Sequence, residues 1–324
     1  MNNFTKNIIA AGGIAAAGAA LVGAFAMFAT EKLMTLALNR QDTKKYDKTK
    51  GKLSGSKKVS EAKMRSREDG EKLASLELRD VAIESFDGTM LVGHWYPCEN
   101  AKRVIVAMHG WRSTWYNNFG SVSEFWHENG CSVLFAEQRG QGESGGDYMS
   151  FGILERYDCL EWARWAENEV ANGLPIYLAG VSMGASTVMM ASCLELPESV
   201  KGIVADCGFT APHDIWERVV EDKFHIPYEL CRRRADKICR NKINESAKAY
   251  SCKDALAAAK VPVLFIHGTD DKFVPIAMTY ENYKACTSPK RLLVVPGAEH
   301  GMSYIVDSEK YAEATKIFWA ECER

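Results

Sequence analysis

Six short apolar runs recur along the chain with helix-length segments between them: Arg103 to Met108, Cys131 to Ala136, Ile176 to Gly180, Val200 to Ala205, Val261 to His267 and Arg291 to Val295. Runs this short and this continuous suit strands covered on both faces, and crossovers of helix length suit parallel pairing. The spacing therefore predicts an α/β fold, a mostly parallel sheet with helices on both faces. Asp87-Gly88, between Val81 to Phe86 and Met90 to Tyr96, reads as a hairpin turn that adds antiparallel strands at one edge. With 324 residues, 47% of them hydrophobic and 25% charged, the chain can bury one large core and still carry an appendage. The formal charge of -2 gives no reason to expect a nucleic-acid partner, and no internal repeat is evident.

Gly180, Val181, Ser182, Met183 and Gly184 spell Gly-x-Ser-x-Gly at the end of the third run. A strand that turns this sharply into a helix brings backbone against backbone, and glycines on both sides of the serine remove the side chains that would collide. The serine is then held in a strained conformation with its hydroxyl clear of the sheet. The following helix, expected over Gly184 to Leu194, aims its N-terminus at the same place, so the Met183 N–H and the helix dipole favour negative charge there.

A serine hydroxyl becomes a nucleophile only when a base takes its proton, and the base needs an acid to orient it. The run Val261 to His267 leads into Gly268-Thr269-Asp270-Asp271-Lys272-Phe273-Val274-Pro275, which places an acid on a loop. Arg291 to Val295 leads into Pro296-Gly297-Ala298-Glu299-His300-Gly301, which places a histidine on another. The chain order is Ser182, Asp271, His300. Asp270, adjacent to Asp271, and Asp206, at the end of the fourth run, are further carboxylates at that edge of the sheet.

With these residues in place, the sequence resembles the α/β-hydrolase superfamily from about Glu77 to the C-terminus. His109-Gly110-Trp111 looks like the family's oxyanion loop. Arg139-Gly140-Gln141-Gly142-Glu143-Ser144 looks like its Arg-Gly-x-Gly-x-Ser segment. Gly268-x-x-Asp271-x-x-Val274-Pro275 matches its acid loop, and this spacing favours Asp271 over Asp270 and Asp206. Small bacterial esterases, serine aminopeptidase-like hydrolases and acyl-transferring relatives all fit. The resemblance implies a serine hydrolase that cleaves carboxylic esters or related acyl bonds of small molecules through an acyl-enzyme, without a cofactor. Ser182 is then the nucleophile, His300 the base and Asp271 its orienting acid, with the backbone N–H groups of Trp111 and Met183 as oxyanion hole. His109 has a structural place in this reading. A peptidase releasing N-terminal residues is the second reading, with Glu217, Glu221 or Asp222 anchoring the amine. A hydrolase fold used only for binding is the third, and the complete triad counts against it.

Gly140 to Gly145 also spells Gly-x-Gly-x-x-Gly, a dinucleotide-site pattern. Three features oppose that use. Glu137, Gln138 and Arg139 separate the glycines from the strand, Glu143 would set a carboxylate against a pyrophosphate, and no helix is expected at the third glycine. The segment Cys207 to Lys260 is longer than a crossover needs and is expected to hold a small helical cap at about residues 208–256. Its Trp216, Phe224, Ile226, Pro227 and Tyr228 are core or pocket lining, and Arg232, Arg233, Arg234, Lys237, Arg240 and Lys242 a solvated basic face. The ten cysteines form no Cys-x-x-Cys pair or zinc-like spacing, so no metal is expected, and several sit in expected core elements, which favours a reducing compartment.

Ile8 to Ala29 is a stretch of 22 residues without a charge, long enough to span a bilayer although rich in alanine and glycine. Ala24-Phe25-Ala26 resembles a signal cleavage site, whereas residues 32 to 67 hold 12 Lys or Arg against 3 acids, a flank the positive-inside rule keeps cytoplasmic. The expected organisation is a membrane anchor or signal at 1–30, a flexible or loosely helical basic tether at 31–76 near anionic lipid, and the hydrolase domain at 77–324. An uncleaved single-pass anchor with a cytoplasmic catalytic domain is the preferred arrangement, and secretion the alternative.

Overall fold

The computed structural model describes residues 27–40 and 57–324. Eight strands form one sheet: β1 (Arg79–Glu84), β2 (Met90–Tyr96), β3 (Arg103–Met108), β4 (Cys131–Ala136), β5 (Ile176–Val181), β6 (Val200–Asp206), β7 (Val263–Gly268) and β8 (Lys290–Val295). Their order is β1-β2-β4-β3-β5-β6-β7-β8. The β1–β2 hairpin pairs antiparallel and joins β4 antiparallel, while β4, β3, β5, β6, β7 and β8 run parallel. All six apolar runs are strands, shifted by at most two residues at their ends.

The two faces explain why these runs do not alternate. Val104, Val106 and Met108 of β3 enter one apolar cluster, with Trp162 and Val188, and Ile105 and Ala107 enter the other, with Phe119 and Trp319. The first face is covered by α4 (Glu155–Ala166), α5 (Met183–Ala191) and α8 (Cys252–Ala257). The second is covered by α3 (Trp115–Glu128) and α11 (Ser308–Cys322). Both faces exclude water, so a polar side chain buried in these strands needs a hydrogen-bond partner, as Ser132 finds in the Cys98 N–H.

Between β6 and β7 the chain forms α6 (Pro212–Phe224) and α7 (Glu229–Ile243), followed by α8. A third apolar cluster joins Ile215, Trp216, Val220, Tyr228, Cys231 and Ile238 of this insertion to Met183, Phe209 and Val274 at the ends of the parallel strands. Helices α6 and α7 lie within residues 208–256, where the sequence reading expects a cap. Trp216 and Tyr228 are core of that cluster.

Two segments read as anchor and tether differ from expectation. Residues 27–38 form a helix, α1, with Met34 and Leu38 buried in the cap cluster. Helix α2 (Lys57–Ala74) packs on α3, where Gly120 leaves no room for a Cβ against the backbone of Gly70, and Leu73 joins the second face. The expected boundary between residues 30 and 31 therefore falls inside a docked helix, and neither described part of the basic stretch is a loose tether. Among the described residues no helix is long and apolar enough to cross a membrane. Residues 8–26 of the uncharged stretch, and with them any test of an anchor, lie outside the described residues.

Candidate active site

Ser182 sits between β5 and α5 at φ 57°, ψ -117°, a conformation rare for a residue with a side chain. Its glycine neighbours are there for steric reasons. A Cβ on Gly180 would lie 2.2 Å from the Gly184 carbonyl oxygen, and one on Gly184 would lie 1.8 Å from that of Met108. The Ser182 N–H donates to the Asp206 carbonyl at 2.9 Å, tying the turn to the end of β6.

The three residues of the expected relay converge although 118 and 29 positions separate them along the chain. Ser182 Oγ lies 2.8 Å from His300 Nε2, and His300 Nδ1 lies 2.6 Å from Asp271 Oδ2. Asp271 Oδ1 accepts the N–H groups of Phe273 and Val274 at 2.8 and 2.9 Å. Burial alone would raise the Asp271 pKa, but hydrogen bonds from His267 and His300 and the Val274 N–H outweigh it and hold the carboxyl well below the usual carboxylate range. An ionised Asp271 accepts from Nδ1–H, which leaves the Nε2 lone pair facing the serine hydroxyl. The Phe273 ring stands edge-on to His300, with centroids 5.1 Å apart.

The other acids have different places. Asp270 is exposed and accepts the Thr269 hydroxyl at 2.8 Å, as a turn residue does. Asp206 is buried, accepts the Ser303 hydroxyl at 2.9 Å, and burial pushes its pKa up to about 6. Glu217, Glu221 and Asp222 lie on the exposed face of α6, opposite Ile215, Trp216 and Val220, so none of them faces the site from within the cap cluster.

His267 was not singled out by the sequence. It is buried, with Nδ1 2.6 Å from the Thr279 hydroxyl and Nε2 2.9 Å from the Val274 carbonyl and 3.2 Å from Asp271 Oδ2. It fixes the acid loop from beneath. Its position at the end of β7, just before Gly268, is the signal that could have found it.

The His109-Gly110-Trp111 loop is held by more than its own sequence. His109 is buried; its Nδ1–H donates to the Gly110 carbonyl at 2.9 Å and its Nε2 accepts the Gln138 N–H at 3.2 Å. Burial lowers its pKa, which keeps the ring neutral for that pair of bonds. Gly110 N–H donates to Asn118 Oδ1 at 2.7 Å, and Arg112, at φ 50°, donates its N–H to Gln141 Oε1 at 2.6 Å. Among the described residues, no acceptor takes the backbone N–H of Trp111 or of Met183.

The loop also leans on the N-terminal segment, which the sequence placed outside the domain. The Trp111 indole N–H donates to the Ala37 carbonyl at 2.9 Å, and the Arg112 guanidinium to those of Leu36 and Asn39 at 3.0 and 3.1 Å. Arg40 donates to the carbonyls of Gly142 at 2.7 Å and Gly146 at 3.1 Å, and Met149 N–H to that of Leu38 at 2.7 Å. The glycine-rich segment 140–145 is therefore occupied by protein contacts: Gly140 N–H closes on the Gly145 carbonyl at 2.8 Å, and the next helix opens at Glu155. It lacks the helix N-terminus a pyrophosphate site requires.

One group of metal-ligating side chains exists among the described residues, Cys207, Asp271 and His300, with ligand atoms within 4.8 Å. Its chemistry suits a proton relay better than a cation. Burial pushes the Cys207 thiol well above its ordinary pKa, and the facing oxygen and nitrogen of Asp271 and His300 bind one another. All ten cysteines are free thiols.

This sheet, elbow and cap define an α/β-hydrolase fold, and the chain is a hydrolase of that type. Residues 117–323, more than half of the chain, match the prolyl oligopeptidase family, and the protein belongs to that family. It is 25% identical over 248 residues to YqkD of Bacillus subtilis, an uncharacterized protein, covering 76% of this chain and 81% of that one. Among solved structures it is similar to the esterase Pf2001 of Pyrococcus furiosus, with a TM-score of 0.62 and 22% identity over 77% of this chain and 93% of the other. It is also similar to Est1E of Butyrivibrio proteoclasticus, solved with ferulic acid bound, with a TM-score of 0.58 and 21% identity over 74% of this chain and 98% of the other.

Proposed function

We propose that this protein is a serine hydrolase that cleaves carboxylic esters of small molecules through an acyl-enzyme. The observation that carries the reading is the continuous hydrogen-bonded line from Ser182 Oγ through His300 to a buried, ionised Asp271. Ser182 Oγ attacks the ester carbonyl while His300 Nε2 takes its proton, and Asp271 stabilises the resulting imidazolium. The oxygen of the tetrahedral intermediate accepts hydrogen bonds from the Trp111 and Met183 N–H groups, with the dipole of α5 behind them. His300 returns the proton to the leaving alcohol, leaving Ser182 acylated. Water then gives its proton to His300, attacks the acyl carbon, and releases the acid as Ser182 recovers its hydrogen.

A fluorophosphonate probe tests this directly. The wild type is expected to label and Ser182→Ala to remain dark, and equal labelling of both would overturn the assignment. An absence of labelling in either would leave a hydrolase fold used for binding alone.

Membership of the prolyl oligopeptidase family supports a second reading, a peptidase acting on N-terminal residues. The outward placement of Glu217, Glu221 and Asp222 supports the ester reading, because an amine in the site would need a carboxylate there. Rates on p-nitrophenyl acyl esters against aminoacyl nitroanilides separate the two. The uncharged stretch Ile8 to Ala29 supports a single-pass anchor, with the basic residues after it on the cytoplasmic side. Resistance of the membrane-bound protein to carbonate extraction tests the anchor.

A further inference from the structure

We propose that the catalytic domain has a second contact with the bilayer, made by the first described turn of α1 together with the start of α7. The inference rests on the anchor reading above and adds a surface that belongs to the folded domain. Glu31 pairs with Arg234 at 2.7 Å, and Asn39 Oδ1 accepts from Lys242 Nζ at 2.7 Å. Both contacts join residues 203 positions apart, so the two segments run parallel and in one register. That register sets the first described turn of α1 level with the start of α7, Met27 with Leu230.

Three large apolar side chains at this end face solvent: Met27 is 57% exposed, Phe28 63% and Leu230 57%. They are not leftovers of a poorly packed helix. Thr30, Met34 and Leu38 of α1 and Cys231, Ala235 and Ile238 of α7 are buried, so each helix is seated and still presents apolar side chains at this end.

Two observations name the occupant. The uncharged stretch Ile8 to Ala29 includes Met27 and Phe28 of the described part of α1, so a span built from it brings these residues to the membrane surface. Cations share these two helices: Lys32 lies 5.7 Å from the Phe28 ring, and Arg233 and Lys237, one turn apart on α7, are exposed without an ion-pair partner among the described residues. An apolar end flanked by lysine and arginine is the composition of an element that lies in the headgroup region of an anionic bilayer.

The test uses the full chain in vesicles of phosphatidylcholine with phosphatidylserine. Dansylalanine is introduced at position 230, and in a second sample at position 195, an exposed site at the opposite edge of the sheet. The expected result is that both samples float with the vesicles, while only the probe at 230 shifts to the blue and is quenched by doxyl-labelled lipid. Arg233→Glu with Lys237→Glu should remove that shift and leave flotation intact. Flotation with a water-like, unquenched probe at 230 overturns the surface and leaves the anchor standing. Failure to float overturns both.

Discussion

Replacing Asp271 by asparagine keeps the shape of the acid and reverses what it offers. Its Oδ1 accepts two backbone N–H groups, from Phe273 and Val274, so the amide oxygen must take that position. The amide NH2 then occupies the place of Oδ2, 2.6 Å from His300 Nδ1 and 3.2 Å from His267 Nε2. A donor facing Nδ1 stabilises the tautomer with its proton on Nε2, and an Nε2–H, 2.8 Å from Ser182 Oγ, cannot take the serine proton. Loss of the orienting acid in this arrangement typically lowers kcat by about 10⁴-fold, which is about 5.5 kcal/mol of transition-state stabilisation. The assay is steady-state hydrolysis of p-nitrophenyl butyrate by Asp271→Asn, with KM expected to stay near the wild-type value and a thermal melt to show that the fold survives. Asp206→Asn, whose amide oxygen still accepts the Ser303 hydroxyl, and Asp270→Asn, on an exposed turn, should each stay within about tenfold of wild type. An Asp271→Asn enzyme that keeps more than about a tenth of its kcat, or an Asp206→Asn enzyme that falls as far, would refute the relay.

Burial raises the Asp206 pKa from 3.8 to about 6, so the folded state binds more protons than the unfolded one between those values and loses stability as pH rises through that window; urea melts at pH 4, 5, 6 and 7 should show Asp206→Asn gaining stability relative to wild type across it. Leu38→Ala, at a fully buried position of α1, should cost about 2–5 kcal/mol and lower the melting temperature, whereas an unchanged melt would mean that residues 27–40 do not dock. Gly184→Ala forces a methyl group into the Met108 carbonyl, and the expected outcome is little or no soluble protein on expression.

Much of the fold was legible because it is written in short-range terms. A strand covered on both faces needs an unbroken apolar run, whatever its neighbours are, so β3 to β8 could be read one at a time. The elbow is likewise local: five residues carry the glycines that its turn demands. The histidine on the loop after β8 and the acid on the loop after β7 follow from strand ends, since residues that leave parallel strands at the same edge meet in space.

The rest depends on distance in three dimensions. Asp270 and Asp271 differ by one position in sequence, and only the register of the loop over Val274 and His267 turns Asp271 inward. The role of residues 27–40 left no trace in composition, because their docking rests on main-chain carbonyls that an indole, two guanidiniums and a backbone N–H reach from 73 to 111 positions away. A carbonyl has no sequence signature, so a stretch read as an appendage braces the loop that carries Trp111 and Arg112. The amino-acid order thus determined the strands, the strained serine and the identity of the groups available for chemistry. Which of those groups touch, and which distant segment braces them, depended on packing between surfaces that exist only once the sheet has formed.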